Sequence, residues 1–237
     1  MSSRKTTAII IALLALSCHE ASKPDSTAIY DTHLEILQGK VKELREMDRE
    51  SKGSPSDTNI ADFDINGNII RTKHTGSWNS LVKCTYQYND QGKKITATAK
   101  DSLKMPHSYM TFGKYDRSGR IIEVNSNSET PEEDPDTSMQ YKWLYKYDAA
   151  GNRVQEDQYY EQEHKYRTMY KYDDKHLLIE EEYFYGDGKK PTMKTSYRYT
   201  SFDSKGNWLR RVGEVKDYGP SAQEIPQPVV VRKITYY

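Results

Sequence analysis

The chain has 237 residues, with 35 Lys+Arg against 35 Asp+Glu, a formal net charge of +0 and a mean hydropathy of −0.95. No basic excess draws it onto nucleic-acid phosphates. Past the N-terminus no apolar run approaches the roughly 18 residues of a membrane span, and 2 Cys cannot build a disulfide-rich scaffold. Apolar residues make up 35%, and 20 Tyr are among them, a supply of rings that favours strands over disorder.

In chain order, Arg4 and Lys5 precede an unbroken apolar run from Ala8 to Leu16, followed by Ser17-Cys18. A charged start, a short apolar stretch and small residues at the cut describe a signal peptide over residues 1–17. As a helix the run covers about 14 Å, too short for a bilayer of about 30 Å. Removing residues 1–17 takes away two bases and no acids, leaving 33 basic to 35 acidic residues, or −2. Ala15-Leu16-Ser17-Cys18 resembles the lipobox of bacterial lipoproteins, although that family prefers Leu where this chain has Ala15. The resemblance implies that Cys18 carries lipid, and that a membrane is the first partner. Residues 18–38 then form a lipidated tether and a short helix, and residues 39–237 the folded body. Cys84, beside Val82, Thr85 and Tyr86, reads as a packed, inert thiol on a strand.

His19 to Ser26 is a polar spacer. Leu34, Leu37, Val41, Leu44 and Met47 fall at helical spacing, with Asp31 able to cap a start. Gly39 interrupts that pattern. The preferred reading is a short helix up to Gln38 and a strand from Lys40 to about Glu50. Lys52 to Thr58 is a loop.

One unit then recurs: an aromatic residue, Asp or Asn, two variable residues, Gly and a polar residue. The copies begin at Phe63 (with Asp64 and Gly67), Tyr88 (Asn89, Gly92), Tyr115 (Asp116, Gly119), Tyr147 (Asp148, Gly151) and Phe202 (Asp203, Gly206). A degenerate copy starts at Tyr172 and Asp173, with His176 in the glycine position. The leading aromatics are 25, 27, 32, 25 and 30 residues apart. Asp or Asn opens a turn by bonding backbone two residues on, and Gly supplies the left-handed residue that closes it. Before the turns aromatics alternate, as in Tyr141, Trp143, Tyr145 and Tyr147, which share one face of a strand. Three places past the glycine stand Ile70, Ile95, Ile122, Val154, Ile179 and Leu209, all apolar. The pattern predicts an all-β fold: an antiparallel meander of repeated β-hairpins in a largely single-layer twisted sheet, with the short N-terminal helix.

The Tyr-Asp-x-x-Gly-Asn unit resembles the YD repeat of Rhs-type proteins. The ending, Phe202 to Arg211 and then Val231-Arg232-Lys233-Ile234-Thr235-Tyr236-Tyr237, is similar to the close of small secreted YD-repeat lipoproteins of Gram-negative bacteria. In that group a Gly-x-Val-Lys segment opens the sheet, here Gly39-Lys40-Val41-Lys42. The resemblance covers about residues 37–237. It implies a repeat sheet and an exported, lipid-anchored place in the cell envelope at the outer membrane, facing the periplasm or the surface, and it implies little about activity.

Local chemistry motifs are sparse. Asp62 to Gly67 matches half of a calcium loop, but Lys73 stands where the last acid belongs, so the segment reads as a hairpin turn. There is no His-Glu-x-x-His, no Gly-x-Ser-x-Gly and no phosphate-cradling glycine loop. Glu129 to Asp136 reads as a solvated acidic loop. The expectation is a non-enzymatic, lipid-anchored envelope protein, without metal or cofactor, whose sheet is a structural or binding surface. An alternative partner is a glycan stacked on Tyr141, Trp143, Tyr145 and Tyr147; another is an envelope protein. A glycoside hydrolase-like enzyme with carboxylates dispersed over several strands leaves no local motif and is the remaining alternative.

Overall fold

The computed structural model describes residues 28–30, 35–49, 58–75, 81–101, 108–128, 139–219 and 227–237. The expected signal peptide, Cys18, the spacer and the acidic loop after Glu129 lie outside these residues. All regular structure among them is β: β1 (Ala28–Tyr30), β2 (Glu35–Leu37), β3 (Val41–Arg49), β4 (Thr58–Phe63), β5 (Ile69–Thr75), β6 (Leu81–Tyr88), β7 (Lys94–Asp101), β8 (Ser108–Tyr115), β9 (Ile121–Ser128), β10 (Met139–Tyr147), β11 (Arg153–Tyr160), β12 (Glu163–Tyr172), β13 (Leu178–Tyr185), β14 (Met193–Phe202), β15 (Trp208–Asp217) and β16 (Val229–Tyr236).

The meander is as expected, each strand from β3 to β16 pairing antiparallel with the next. The sheet does not stay open, however. β16 pairs with β3, from Val229↔Arg49 to Tyr236↔Val41, and the 14 strands close into a barrel. Closure gives each of these 14 strands two neighbours and leaves the barrel sheet without a free edge, while β1 and β2 pair with each other.

Among the described residues there is no helix before Gln38; β2 occupies the end of the expected one and pairs with β1. The helical spacing runs on past Gly39 only because of a bulge in β3. Opposite Thr235 and Tyr236 the β3 register skips Lys42, so Val41 and Leu44 both turn inward although three residues apart. That spacing imitates a helical repeat. Gly39, with φ +82, turns the chain between β2 and β3 beside the Lys205 side chain, where a Cβ would meet Cδ at 2.8 Å. The strand reading from residue 40 onward holds, because β3 runs over Val41–Arg49.

The six repeat turns all fall at one end of the barrel and share one hydrogen-bond pattern. In the first, the Asp64 N–H donates to the Asn68 carbonyl (2.9 Å), and the Gly67 N–H donates to the Asp64 carbonyl (3.0 Å). The Asp64 carboxylate accepts from the Asn66 and Asn68 N–H groups at 2.9 and 2.8 Å. Asn89, Asp116, Asp148, Asp173 and Asp203 repeat the backbone pair. The fifth residue is left-handed each time, φ running from 70 to 95 at the glycines and standing at 62 at His176. A register shift then follows every one of these hairpins. The residue that turns inward is the second past the glycine position: Ile69, Leu178 and Trp208 are each 2% exposed. The apolar residues one place later sit on the bulge, and Ile70, Ile95 and Ile179 are exposed.

Tyrosines tie successive units together. The Tyr88 hydroxyl donates to the Ile69 carbonyl (2.7 Å), Tyr115 to Lys94, Tyr147 to Ile121 (2.7 Å) and Tyr199 to Leu178 (2.8 Å). Each acceptor is the carbonyl two residues past the preceding turn's glycine position. In the last copy Phe202 has no hydroxyl and is exposed, and Tyr199 makes the bond instead.

The seam closes with side chains. Asn207 pairs with the Gln38 backbone in both directions, accepting at 2.7 Å and donating at 2.9 Å, and also donates to the Tyr236 hydroxyl at 2.7 Å. Tyr236 in turn donates to the Asp203 carboxylate. The Arg232–Glu46 ion pair spans β16 and β3 at 2.6 Å, almost fully buried, with the Arg232 guanidinium 3.4 Å from the Trp208 ring centroid. Beside it an apolar cluster of Leu37, Val41, Leu44, Ala61, Phe63 and Ile69 fills the turn end, with Tyr86, Tyr88, Ile234 and Tyr236 packed on it.

Candidate functional site

Alternation along the strands separates two surfaces. The outer one is charged and wet. Lys194 contacts Glu180 at 2.6 Å, Lys114 contacts Glu123 at 2.8 Å and Arg71 contacts Asp62 at 2.6 Å. These pairs are cross-strand neighbours on exposed faces, each worth about 0.2–1 kcal/mol. Glu123 and Glu180 titrate below the usual carboxylate range, chiefly through the hydrogen bonds from Lys114 and Lys171 respectively.

The inner wall is where the rings converge. Fourteen strands enclose more width than the eight whose side chains fill a small barrel, so its lining is long and polar rather than purely aliphatic. The cross-strand registers put Trp143, Gln158, Tyr166 and Tyr185 at one level. Tyr145, Glu156, Thr168 and Tyr183 form the next, and Tyr170, Glu181 and Thr195 the one below. Val124 and Ser126, opposite Trp143 and Tyr141, are buried, which fixes this face as the interior.

Toward the end away from the repeat turns, the aromatics form a shelf. Tyr141 stacks on Trp143 with centroids 5.9 Å apart and meets Tyr160 at 5.2 Å. Tyr166 lies between Tyr183 at 5.2 Å and Tyr185 at 5.7 Å, and Tyr185 is 63% exposed. Deeper in, phenols and charged groups interlock. Tyr170 donates to Glu156 at 3.2 Å, and Tyr197 to Glu181 at 2.9 Å. Arg153 stacks on Tyr145 at 4.0 Å and reaches Glu156 at 3.2 Å. Arg211 stacks on Tyr197 at 4.2 Å. Burial first, then the neighbouring carboxylates, pushes the Tyr170 and Tyr197 hydroxyls up, so both stay protonated donors. Burial likewise pushes Tyr86 up to about 12, and it lowers the Lys94 amine to about 7, with Arg153 adding to the effect.

The four rings singled out from sequence do share one wall, but they divide into two roles. Tyr141 and Trp143 belong to the shelf. Tyr145 is covered by Arg153, and Tyr147 carries Arg120 at 4.7 Å and bonds Ile121, so these two serve the barrel. The turn residues Asp64, Asp116 and Asp148 spend their carboxylates on their own turns, where Asn68, Arg120 and Asn152 also bond back to them at 2.9, 2.6 and 2.9 Å, and Asp203 divides its carboxylate between its own turn and the Tyr236 hydroxyl. Asp62, the first residue of the half calcium motif, is held by Arg71. Cys84 is free and half-buried, and burial pushes its thiol up, which agrees with an inert packed residue. The inner shelf residues Tyr160, Tyr166, Tyr183 and Tyr185, and the inward cations Lys94 and Arg153, carry no local motif. Their alternation within each strand marked a face, but only the registers say which strands share a level.

No family model matches the chain, and no curated protein does. Among solved structures, the chain resembles a porin-like protein from Bacteroides uniformis, with a TM-score of 0.53 at 11% identity over 82% of this chain and 98% of that one. It also aligns with complexes of TcdB2 and TccC3 carrying TEV or Cdc42, at 13% and 12% identity and TM-scores of 0.25 and 0.20. These span 72% and 76% of this chain and only 12% and 15% of those. The first likeness is one of fold, a β-barrel of comparable extent; the others carry no argument at those scores.

Proposed function

We propose that this chain is a non-enzymatic, lipid-anchored protein of the bacterial cell envelope, a small relative of the YD-repeat proteins, and that its barrel is a binding surface. The observation that carries the reading is the inner aromatic shelf of Tyr141, Trp143, Tyr160, Tyr166, Tyr183 and Tyr185, stacked on a concave wall with Tyr185 exposed at its end. Flat rings on a concave polar wall suit the apolar faces of sugar rings, with phenols and amides to fix orientation. The glycan is therefore the favoured ligand class, and a structural shell the second reading. Inner Glu156 and Glu181 each accept a phenol hydrogen bond, which supports a recognising wall over a hydrolytic one. The outer ion pairs between strands support a barrel that stands in water beside its membrane, because a charge at mid-bilayer on a barrel's outer face costs about 2–4 kcal/mol.

A glycan array probed with the protein lacking residues 1–17, beside Trp143→Ala, tests the binding reading. Signals that fall in the variant support it, and a blank array removes it. Labelling with a radioactive fatty acid, with and without Cys18→Ala, tests the anchor; label independent of Cys18, or no label on the parent, ends that part.

A further inference from the structure

One inward polar side chain on the ringed wall is unspent. Gln158 lies on β11 between Trp143 of β10 and Tyr166 of β12, its cross-strand partners on either side. It is half-buried, and among the described residues its amide has no hydrogen-bond partner. Its neighbours differ. Gln155, on the outer face of the same strand, donates to Asp157 at 2.6 Å and accepts from Lys146 at 3.2 Å. Glu156, one level below Gln158, accepts from Tyr170 and from Arg153, each at 3.2 Å. Lys165, whose amine lies 5.9 Å from the Tyr160 ring centroid, is held by Glu163 at 2.6 Å. These charges are paired, so the group left to act is a neutral amide with two N–H donors and a carbonyl acceptor.

The rings around it form two platforms. Tyr141 stacks on Trp143 on one side, and Tyr166 packs against the exposed Tyr185 on the other. Trp143 and Tyr166 stand two strands apart, about 10 Å at the usual inter-strand spacing, too far for a single sugar ring to rest on both. The geometry points to a ligand that crosses the strands: an oligosaccharide of N-acetylated amino sugars, with a sugar ring on each platform and an acetamido group at Gln158. This rests on the binding-surface reading and narrows it to a ligand class. An acetamido group carries its own N–H donor and carbonyl acceptor in one plane, so it pairs with the Gln158 amide by two hydrogen bonds, and its methyl group meets apolar ring surface beside it. A hydroxyl in its place leaves half of that pairing unmade, and an acidic sugar gains nothing from Arg153 or Lys165, which are already held.

The experiment is isothermal titration of the protein lacking residues 1–17, which keeps every strand of the barrel. The probes are a β-linked oligomer of N-acetylglucosamine, a glucose oligomer of the same linkage and length, and single N-acetylglucosamine. The parent is compared with Gln158→Met and Trp143→Ala, each checked for its melting temperature. The acetylated oligomer is expected to bind at least about tenfold more tightly than the glucose oligomer, and Gln158→Met to erase that preference while leaving the glucose oligomer's affinity unchanged. Trp143→Ala weakens both oligomers, and the single sugar binds more weakly than its oligomer. Equal affinity for the two oligomers, or a preference that survives in folded Gln158→Met, overturns the acetamido assignment and leaves the aromatic wall standing. A single sugar that binds as tightly as its oligomer overturns the span across the strands. Binding of neither oligomer overturns the proposal, and the glycan array then decides the binding-surface reading separately.

Discussion

At the scale of single residues, the fold is written in its turns, and they supply the first test. His176 occupies the left-handed position that five sister copies give to glycine, at φ 62. His176→Gly is expected to raise stability by about 0.5–1 kcal/mol, and Gly206→Ala at φ 91 to lower it by at least that much, both readable in urea unfolding. Removing one hydroxyl with Tyr147→Phe leaves the Ile121 carbonyl without its donor and is expected to cost about 1 kcal/mol. Lys94 adds a pH signature. Its amine titrates near 7 when folded against an ordinary 10.5, so between those values the unfolded chain holds the extra proton and folding stability rises with pH. Thermal melts of Lys94→Met should exceed the parent most at pH 6 and lose the advantage toward pH 10; a constant difference contradicts the buried amine. These turns were readable because Asp, Gly and their spacing carry the conformational demand locally. The tyrosine hydroxyls were not, because their acceptors lie 19–26 residues earlier and emerge only once strands are in register.

At the scale of elements, the strands and their alternation were legible, and the helical spacing that continues into β3 shows why such reading misleads locally. A bulge that skips Lys42 moved two inward residues to a spacing of three, and the same device put Ile70, Ile95 and Ile179 on the outside one place after the buried residues. A linear pattern does not distinguish a bulge from a helical turn; the partner strand does. The seam between β16 and β3 makes its own prediction. Arg232→Met leaves Glu46 buried without its 2.6 Å partner and is expected to cost about 3–5 kcal/mol. Arg232→Met with Glu46→Leu should recover most of that loss. If the double variant is no more stable than the single one in guanidinium melts, the pair is not a coupled closure across the seam.

At the scale of the whole molecule, repetition predicts a meander but not whether it closes. Closure depends on a contact between Val229–Tyr236 and Val41–Arg49, almost the whole chain apart, and nothing within either segment announces its partner. Once closed, the sheet turns a stripe of rings into an enclosed wall, so the candidate site is a product of topology more than of motif. The proposed binding role therefore stands on the barrel being shut. Double electron–electron resonance between spin labels at Arg45→Cys and Lys233→Cys, with Cys84→Ser and residues 1–17 removed, measures this directly. The two positions are cross-strand partners on the outer face. A closed barrel predicts one short distance, below about 20 Å with label arms included. An open meander separates its outer strands by 13 steps of about 4.8 Å, roughly 60 Å before twist, and a distribution centred well beyond 30 Å would contradict the account.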